Sequence, residues 1–264
     1  MLRHVTSADG VRIACEVSGE GPPLVMVHGA GSGRWSFDAM RAQLDRSFTV
    51  IAIDRRGRGD STDGDEYGLD RECEDVAAVV REAGPGALLF GHSYGGLVAA
   101  GAAALLDLPR LALYEPAMGG VLATGSTIER WERLIEEGDR DTVVREFLRD
   151  LAGYDDEAIE QLARSQVWEL RRQIVPTVPR ELRAELAHRF DERGLAELTI
   201  PVLVLVGAES PDWAVRSVRA HAGALPQAET RTLEGQGHGA NMTAPHLLAT
   251  ELERFFVMTQ AEAR

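Results

Sequence analysis

The sequence contains no lysine, so all 28 of its basic side chains are arginine. This excludes catalysis through a lysine Schiff base, which needs an amine nucleophile. With 42 acidic residues, the formal net charge is −14. Because so acidic a chain repels phosphate backbones and anionic lipid surfaces, neither nucleic acid nor a membrane is expected as its partner.

Cysteine and long apolar runs are also scarce. The two cysteines, Cys15 and Cys73, are too few for a disulfide framework or a metal cluster, so no metal site is expected. The longest strongly apolar stretches, 24–27 and 201–206, have the length of strands, far short of the roughly 20 residues of a membrane-spanning helix. The N-terminal residues lack the apolar core of a signal peptide, so we expect a cytoplasmic protein.

What the chain does contain is an alternation of strand and helix patterns. Residues 2–17 predict an edge hairpin, and apolar strands then alternate with helices, which predicts an α/β fold with a mostly parallel, doubly wound sheet. From residue 117 to 197 the pattern is helical only. We therefore expect an α/β core formed by residues 1–116 and 198–264, with a helical cap inserted at 117–197.

Within the expected cap, start signals mark four helices. Ser126 to Glu129 has the pattern of a capping box and predicts the start of the first helix. Asp141, Asp155 and Pro179 are predicted to begin the next three.

The most informative stretch is Gly91-His92-Ser93-Tyr94-Gly95, which follows an apolar run and precedes a helix of small residues. Gly-x-Ser-x-Gly between a strand and a helix is typical of a nucleophile elbow, a sharp turn that exposes its serine. Gly91 and Gly95 are expected where neighbouring backbone comes too close for a Cβ atom. The helix amides after Ser93 offer a positive dipole end to developing negative charge.

Other unusual loops are predicted at the same edge of the sheet. Strand 23–28 ends in His28-Gly29, the next strand ends in an Asp-x-x-Gly-x-Gly-x-Ser loop at 54–61, and Gly237-His238 comes late in the chain. Together with the elbow, and in this order, these motifs resemble the α/β-hydrolase superfamily. The resemblance spans the whole chain and implies acyl transfer in the chain order serine, acid, histidine.

On this resemblance Ser93 is the nucleophile and His238 the general base. His238 lies in a glycine-flanked loop after the last predicted strand, where the family has its base. His28 is expected to shape its own loop, and His92 to point away from the nucleophile. The other histidines are expected to be solvated: His4, His188, His221 and His246.

The sequence leaves the acid of the triad open. The commonest family position, about three residues past Gly207, holds Ser210, with Glu209 and Asp212 nearby. Haloalkane dehalogenases and fungal zearalenone-type lactonases instead carry the acid after the strand that follows the nucleophile helix, and Tyr114-Glu115-Pro116 matches that arrangement. We favour Glu115, with Glu209 and then Asp212 as alternatives.

The resemblance also implies a site for the substrate. The amides of Ala30 and Tyr94 would form the oxyanion hole, with Gly29 and Gly31 beside it. Cap aromatics are expected to pack on the core, and some to line the substrate pocket. The residues expected to contact substrate are Gly29, Gly31, Trp131, Phe147 and Trp168.

These observations predict a cofactor-independent serine hydrolase, monomeric or homodimeric, that cleaves a small, neutral, moderately apolar ester or lactone. A non-hydrolytic enzyme of the same fold, such as a lyase, a cyclase or a cofactor-free haloperoxidase-like enzyme, is the first alternative. A ligand-binding receptor with a degenerate site is the second.

Overall fold

The computed structural model describes residues 1–120 and 122–257. The apolar runs form an eight-stranded sheet of order β1-β2-β4-β3-β5-β6-β7-β8, in which β1 and β2 are antiparallel to their neighbours and the remaining pairs are parallel. The strands are β1 (Leu2–Thr6), β2 (Arg12–Ser18), β3 (Pro23–Val27), β4 (Thr49–Ile53), β5 (Leu88–His92), β6 (Leu111–Tyr114), β7 (Val202–Gly207) and β8 (Ala228–Leu233). The predicted parallel sheet and edge hairpin are confirmed.

Helices cover both faces of this sheet because its strands are apolar on both sides. In β3, Leu24 and Met26 face one core, while Val25 and Val27 face the other. No described helix combines the length and apolarity needed to cross a membrane. The helices are α1 (Asp38–Leu44), α2 (Leu69–Ala83), α3 (Tyr94–Ala103), α4 (Gly125–Glu136), α5 (Arg140–Glu146), α6 (Asp156–Ala163), α7 (Gln166–Ile174), α8 (Val178–Ala187), α9 (Glu192–Ala196), α10 (Asp212–Ala224), α11 (Ala240–Thr243) and α12 (Pro245–Val257).

The strand order places a crevice beside β3. Strand β3 pairs with β4 on one side and with β5 on the other, so the chain reverses its direction of winding there. Ligands bind at such a switch point, outside the carboxyl ends of the strands. The loop at Gly29 follows β3 and Ser93 follows β5, so both lie at this crevice.

Helices α4 to α9 form a segment between β6 and β7, which we call the helical segment (residues 125–196). Its first boundary differs from the predicted capping box at Ser126. Helix α4 already begins at Gly125, and its cap is Thr124, whose hydroxyl accepts the Thr127 amide at 3.3 Å. A threonine two residues upstream thus makes the bond that the sequence pattern assigned to Ser126.

The later boundaries differ as well. Helix α5 begins at Arg140 because Asp139, not Asp141, caps it. The single helix predicted from Asp155 is divided in two, since α6 ends at Ala163 and α7 begins at Gln166. The Ser165 hydroxyl donates to the Leu162 carbonyl at 2.7 Å, an alternative to the helical backbone bonds at this break. The helix predicted from Pro179 begins one residue earlier, at Val178.

A buried group of ions joins the helical segment to the sheet. Arg55, after β4, donates to Glu72 of α2 at 2.7 Å and to Glu181 of α8 at 2.9 Å. Arg58 also forms an ion pair with Glu181. Burial raises the pKa of Glu72, but the charges of Arg55 and Arg58 lower it more, so that it lies below the ordinary value.

Replacing Glu181 with alanine is expected to lower the free energy of unfolding by about 3–5 kcal/mol, because it leaves two buried guanidinium groups without this partner. Equilibrium urea unfolding measures the change. The matched control is Glu132→Ala, which removes a solvent-exposed ion pair with Arg183 and should cost about 1 kcal/mol or less. Equal, small losses in both variants would contradict a stabilising role for Glu181.

Candidate active site

Ser93 occupies a strained turn between β5 and α3. Its backbone has φ 57° and ψ −126°, a conformation that residues other than glycine rarely adopt. A Cβ at Gly91 would overlap the Gly95 carbonyl oxygen, and one at Gly95 would overlap the His28 carbonyl oxygen. The two glycines therefore permit the close approach that the sequence predicted, and the turn directs Ser93 toward the crevice.

Glu115 is strained in a similar way where β6 ends. Its φ is 44°, and among the described residues only Ser93 and Glu115 combine a positive φ with a side chain. The Glu115 amide donates to the Leu205 carbonyl at 3.0 Å, and the Ser93 amide donates to the Tyr114 carbonyl at 2.9 Å. Backbone strain of this kind persists only where its surroundings enforce it, and it concentrates at functional sites.

These two residues meet at His238. The Ser93 Oγ to His238 Nε2 distance is 3.0 Å, and the His238 Nδ1 to Glu115 Oε2 distance is 2.6 Å. A carboxylate can only accept, so His238 donates from Nδ1–H to Glu115 and its Nε2 accepts from the Ser93 hydroxyl. The arrangement leaves the histidine able to remove the serine proton.

The second oxygen of Glu115 is also held. Oε1 accepts the Gly207 amide at 2.6 Å and the Ser210 hydroxyl, and the carboxylate is fully buried. Ser210 stands at the commoner position of the family acid. In this chain the Ser210 hydroxyl donates to the carboxylate of Glu115, which stands at the alternative position of the acid.

The alternative acids lie elsewhere. The side chains of Glu209 and Asp212 are exposed, and neither forms a hydrogen bond with His238. Glu209 precedes Ser210, whereas Asp212 is the first residue of α10. Of the three carboxylates that the sequence left open, the structure brings only Glu115 to the histidine.

His92, expected to point away from Ser93, packs against His238, and no hydrogen bond among the described residues joins it to Ser93. Its ring lies 4.7 Å from that of His238, between His238 and Tyr114, and its Nε2–H donates to the His238 carbonyl at 2.9 Å. Trp213 contacts His238 edge-on at 4.8 Å. Burial, followed by the neighbouring His238, holds the pKa of His92 well below its usual range, so a neutral His92 supports the His238 loop.

The expectation for one other histidine, that it is solvated, is also wrong. His221 is buried in α10 rather than solvated, and its ring packs against Phe190. Burial lowers the pKa of His221 to about 4. His4 and His246 are exposed, and His188 is half-buried.

The peptide bond between Gly29 and Ala30 is fixed from its carbonyl side. The Gly29 oxygen accepts from His28 Nδ1 at 2.9 Å and from Arg55 Nη2 at 3.0 Å. Because a trans peptide points its N–H opposite to its carbonyl, these bonds also set the direction of the Ala30 amide. Within the described chain, neither the Ala30 nor the Tyr94 amide has an acceptor.

A small cavity of about 40 Å³ adjoins Ser93 and His238. Gly29 and Phe147 line it, as predicted, whereas Gly31 lies behind Phe147. The remaining wall residues are Ala30, Ser32, His92, Leu122, Leu151, Ala152, Tyr154, Arg171, Trp213, Gly239, Asn241 and Met242.

Besides Gly31, two more of the predicted substrate contacts lie outside the cavity wall. Trp131 is fully buried in the helical segment, and its indole donates to Glu146 at 2.7 Å. Trp168 donates to Asp141 at 2.6 Å. Neither lines the cavity, because each indole is held by a carboxylate of the helical segment itself.

Sequence reasoning also missed wall residues, above all Trp213 and Arg171. The buried positions of α7 are Trp168, Arg171 and Ile174, spaced by three residues. An arginine within an otherwise apolar helical stripe was the signal that could have singled out Arg171.

Comparison with known proteins gives consistent matches. The model of the "Alpha/beta hydrolase family" matches residues 24–251. A pimeloyl-[acyl-carrier protein] methyl ester esterase of Xylella fastidiosa is 27% identical, with 91% of this chain and 97% of that protein aligned. An alpha/beta hydrolase structure from Sphaerobacter thermophilus is 35% identical with a TM-score of 0.85, over 97% of this chain and 100% of that one. An esterase from Rhodococcus is 26% identical with a TM-score of 0.72, over 97% and 98% of the two chains.

Proposed function

The chain belongs to the alpha/beta hydrolase family, and from this premise we propose that it is a serine hydrolase of small carboxylic esters or lactones. The chain of hydrogen bonds from Glu115 through His238 to Ser93 carries the most weight for this proposal. The esterase names of two relatives that align over nearly the whole chain agree with it.

In the acylation step, Ser93 Oγ attacks the substrate carbonyl carbon while His238 Nε2 takes the hydroxyl proton. The tetrahedral intermediate then collapses, the bond to the alkoxy oxygen breaks, and His238 gives its proton to the departing alcohol. In a lactone the alcohol stays attached to the acyl group. Glu115 holds His238 in the required tautomer and stabilises the imidazolium that forms.

In the deacylation step, water takes the place of the alcohol. His238 removes a proton from the water as its oxygen bonds to the acyl carbon, and the bond to Ser93 Oγ breaks. The proton on His238 returns to Ser93, and the carboxylic acid product leaves. Neither step changes the oxidation state of the carbon, so neither needs a redox cofactor.

The negative oxygen of each intermediate needs hydrogen-bond donors. The Ala30 and Tyr94 amides are suited to this role, since both lack an acceptor in the described chain and Tyr94 begins α3. His28 and Arg55 position the Ala30 amide through the Gly29 carbonyl. Prearranged donors of this kind contribute on the order of 10²–10³ in turnover each.

The helical segment acts as a cap in this proposal. It supplies Phe147, Leu151 and Tyr154 to the cavity wall, and Trp213 closes the wall from the core side. The mostly apolar lining of this cavity suits the acyl chain of a small molecule.

A fluorophosphonate probe tests the proposal. We expect one covalent label per chain, located on Ser93 by peptide mass spectrometry and absent from Ser93→Ala. Turnover of p-nitrophenyl acyl esters of graded chain length should favour short chains. Labelling without turnover would indicate a non-hydrolytic enzyme of this fold, and a folded protein without labelling would indicate a receptor.

A further inference from the structure

Arg171 is a buried cation in the cavity wall without a carboxylate partner. It lies on α7 and is 7% exposed. The other buried arginines of the described chain, Arg55, Arg56 and Arg58, each form ion pairs with carboxylates. No described aspartate or glutamate forms an ion pair with Arg171.

The few contacts of Arg171 leave most of its donors free. Nη1 donates to the Gly31 carbonyl at 2.9 Å, and Nη2 lies 3.8 Å from the weakly accepting sulfur of Met242. The guanidinium lies over the Trp35 ring at 5.5 Å. Its buried Nε has no acceptor in the described chain. A guanidinium carries five N–H donors, so an additional planar acceptor can still bind.

Such a group is unfavourable to bury. Desolvation lowers the pKa of Arg171, and no nearby carboxylate of the described chain raises it again. An arginine nevertheless stays protonated, so the charge persists in the cavity. A buried charge without a partner destabilises the fold, and its presence at a ligand cavity indicates that the ligand supplies the opposite charge.

The surroundings of Arg171 agree with an anionic ligand. None of the residues that line the cavity in the described chain is an aspartate or a glutamate, although the protein as a whole is strongly acidic. Ser32, Asn241 and Tyr154 add polar groups to the same wall. Arg171 also lines the same cavity as Ser93 and His238.

We propose that Arg171 binds a carboxylate of the substrate, which would make the substrate an anionic ester or lactone, such as a half-ester of a small dicarboxylic acid. This inference rests on the proposed hydrolase function and specifies its substrate class. It replaces the neutral substrate expected from the sequence. Arginine suits this role because its planar fork can donate two parallel hydrogen bonds to a carboxylate.

Matched esters test the charge requirement. The monoethyl esters of succinate, glutarate and adipate are each compared with the corresponding ester in which a carboxamide replaces the free carboxylate. The series covers a range of distances between the two ends of the substrate. With ethanol release as the assay, we expect the best half-ester to exceed its carboxamide counterpart at least 10-fold in kcat/KM.

Arg171→Met is the informative variant, because it removes the charge and keeps an unbranched side chain. We expect it to lower kcat/KM for the best half-ester by about 10- to 100-fold, the effect of a hydrogen bond to a charged group. The loss on the carboxamide ester should stay within about 5-fold. Arg172→Met is the matched control. Arg172 forms ion pairs with Asp141 and Glu169 and does not line the cavity, so its replacement should leave both activities unchanged.

A purely structural role would give a different pattern. If Arg171 only held the Gly31 loop, Arg171→Met would lower both activities equally and would lower Tm. If it binds a substrate carboxylate, Tm should stay the same or rise, because an unpaired buried charge is removed. Equal losses on both esters, or a wild-type protein that does not prefer the half-ester, would overturn the proposal.

Binding separates this inference from the proposed function. Calorimetry with Ser93→Ala and the unreacted half-esters should detect binding that Arg171→Met abolishes in the double variant. If wild type hydrolyses no ester but this Arg171-dependent binding is observed, the anion site stands and the hydrolase function fails. If esters are hydrolysed but half-esters bind equally with and without Arg171, the anion site fails alone.

Discussion

Replacing Ser93 with alanine is expected to lower kcat for ester hydrolysis by about 10⁶-fold, and replacing His238 with alanine should have an effect of the same order. The two side chains act as one unit, since His238 Nε2 accepts the Ser93 proton across 3.0 Å. Once either is missing, the other has no step to perform. The double variant should therefore be no slower than the slower single variant.

The residual rate of these variants is informative as well. The Ala30 and Tyr94 amides remain in place in all three, so activity should stay roughly 10³–10⁴-fold above that of water. Single-turnover and steady-state assays on the best p-nitrophenyl ester measure the losses, and circular dichroism checks the fold. Additive losses in the double variant would show that Ser93 and His238 do not act in the same step.

Replacing Glu115 with glutamine should lower turnover by about 10³–10⁵-fold with little change in KM. Glutamine keeps the shape of the side chain but can present an amide N–H to His238, which favours the wrong tautomer. His238 Nε2 would then carry the proton and could not accept one from Ser93. Glu115 Oε1 also receives the Gly207 amide and the Ser210 hydroxyl, so some loss of stability is expected too.

Glu209→Gln is the matched control for this variant. Glu209 is exposed and makes no hydrogen bond to His238, so its replacement should change turnover by less than about 3-fold. Urea unfolding of both variants separates loss of fold from loss of catalysis. Near wild-type turnover in a folded Glu115→Gln protein, with a large loss in Glu209→Gln, would reverse the assignment of the acid.

Much of the fold could be predicted because its signals are local. An apolar run such as 202–206 has strand length and is bounded by breakers, and the structure forms β7 over Val202–Gly207. The errors in the helical segment were also local. Thr124 and Asp139 compete with neighbouring polar residues for the same helix ends, and differences of one hydrogen bond decide which of them caps a helix.

The sequence by itself determined the individual strands, the strained turn at Ser93 and the loop that carries His238, because each depends on residues only a few positions apart. Only the tertiary structure decided which carboxylate reaches His238, since Glu115 is 123 residues away in the chain and its position depends on how β6 pairs with β5 and β7. The same holds for Arg171. An arginine's lack of a counter-ion becomes visible only when the neighbours of α7 are in place, because pairing and desolvation are properties of the packed surroundings and not of the residue type.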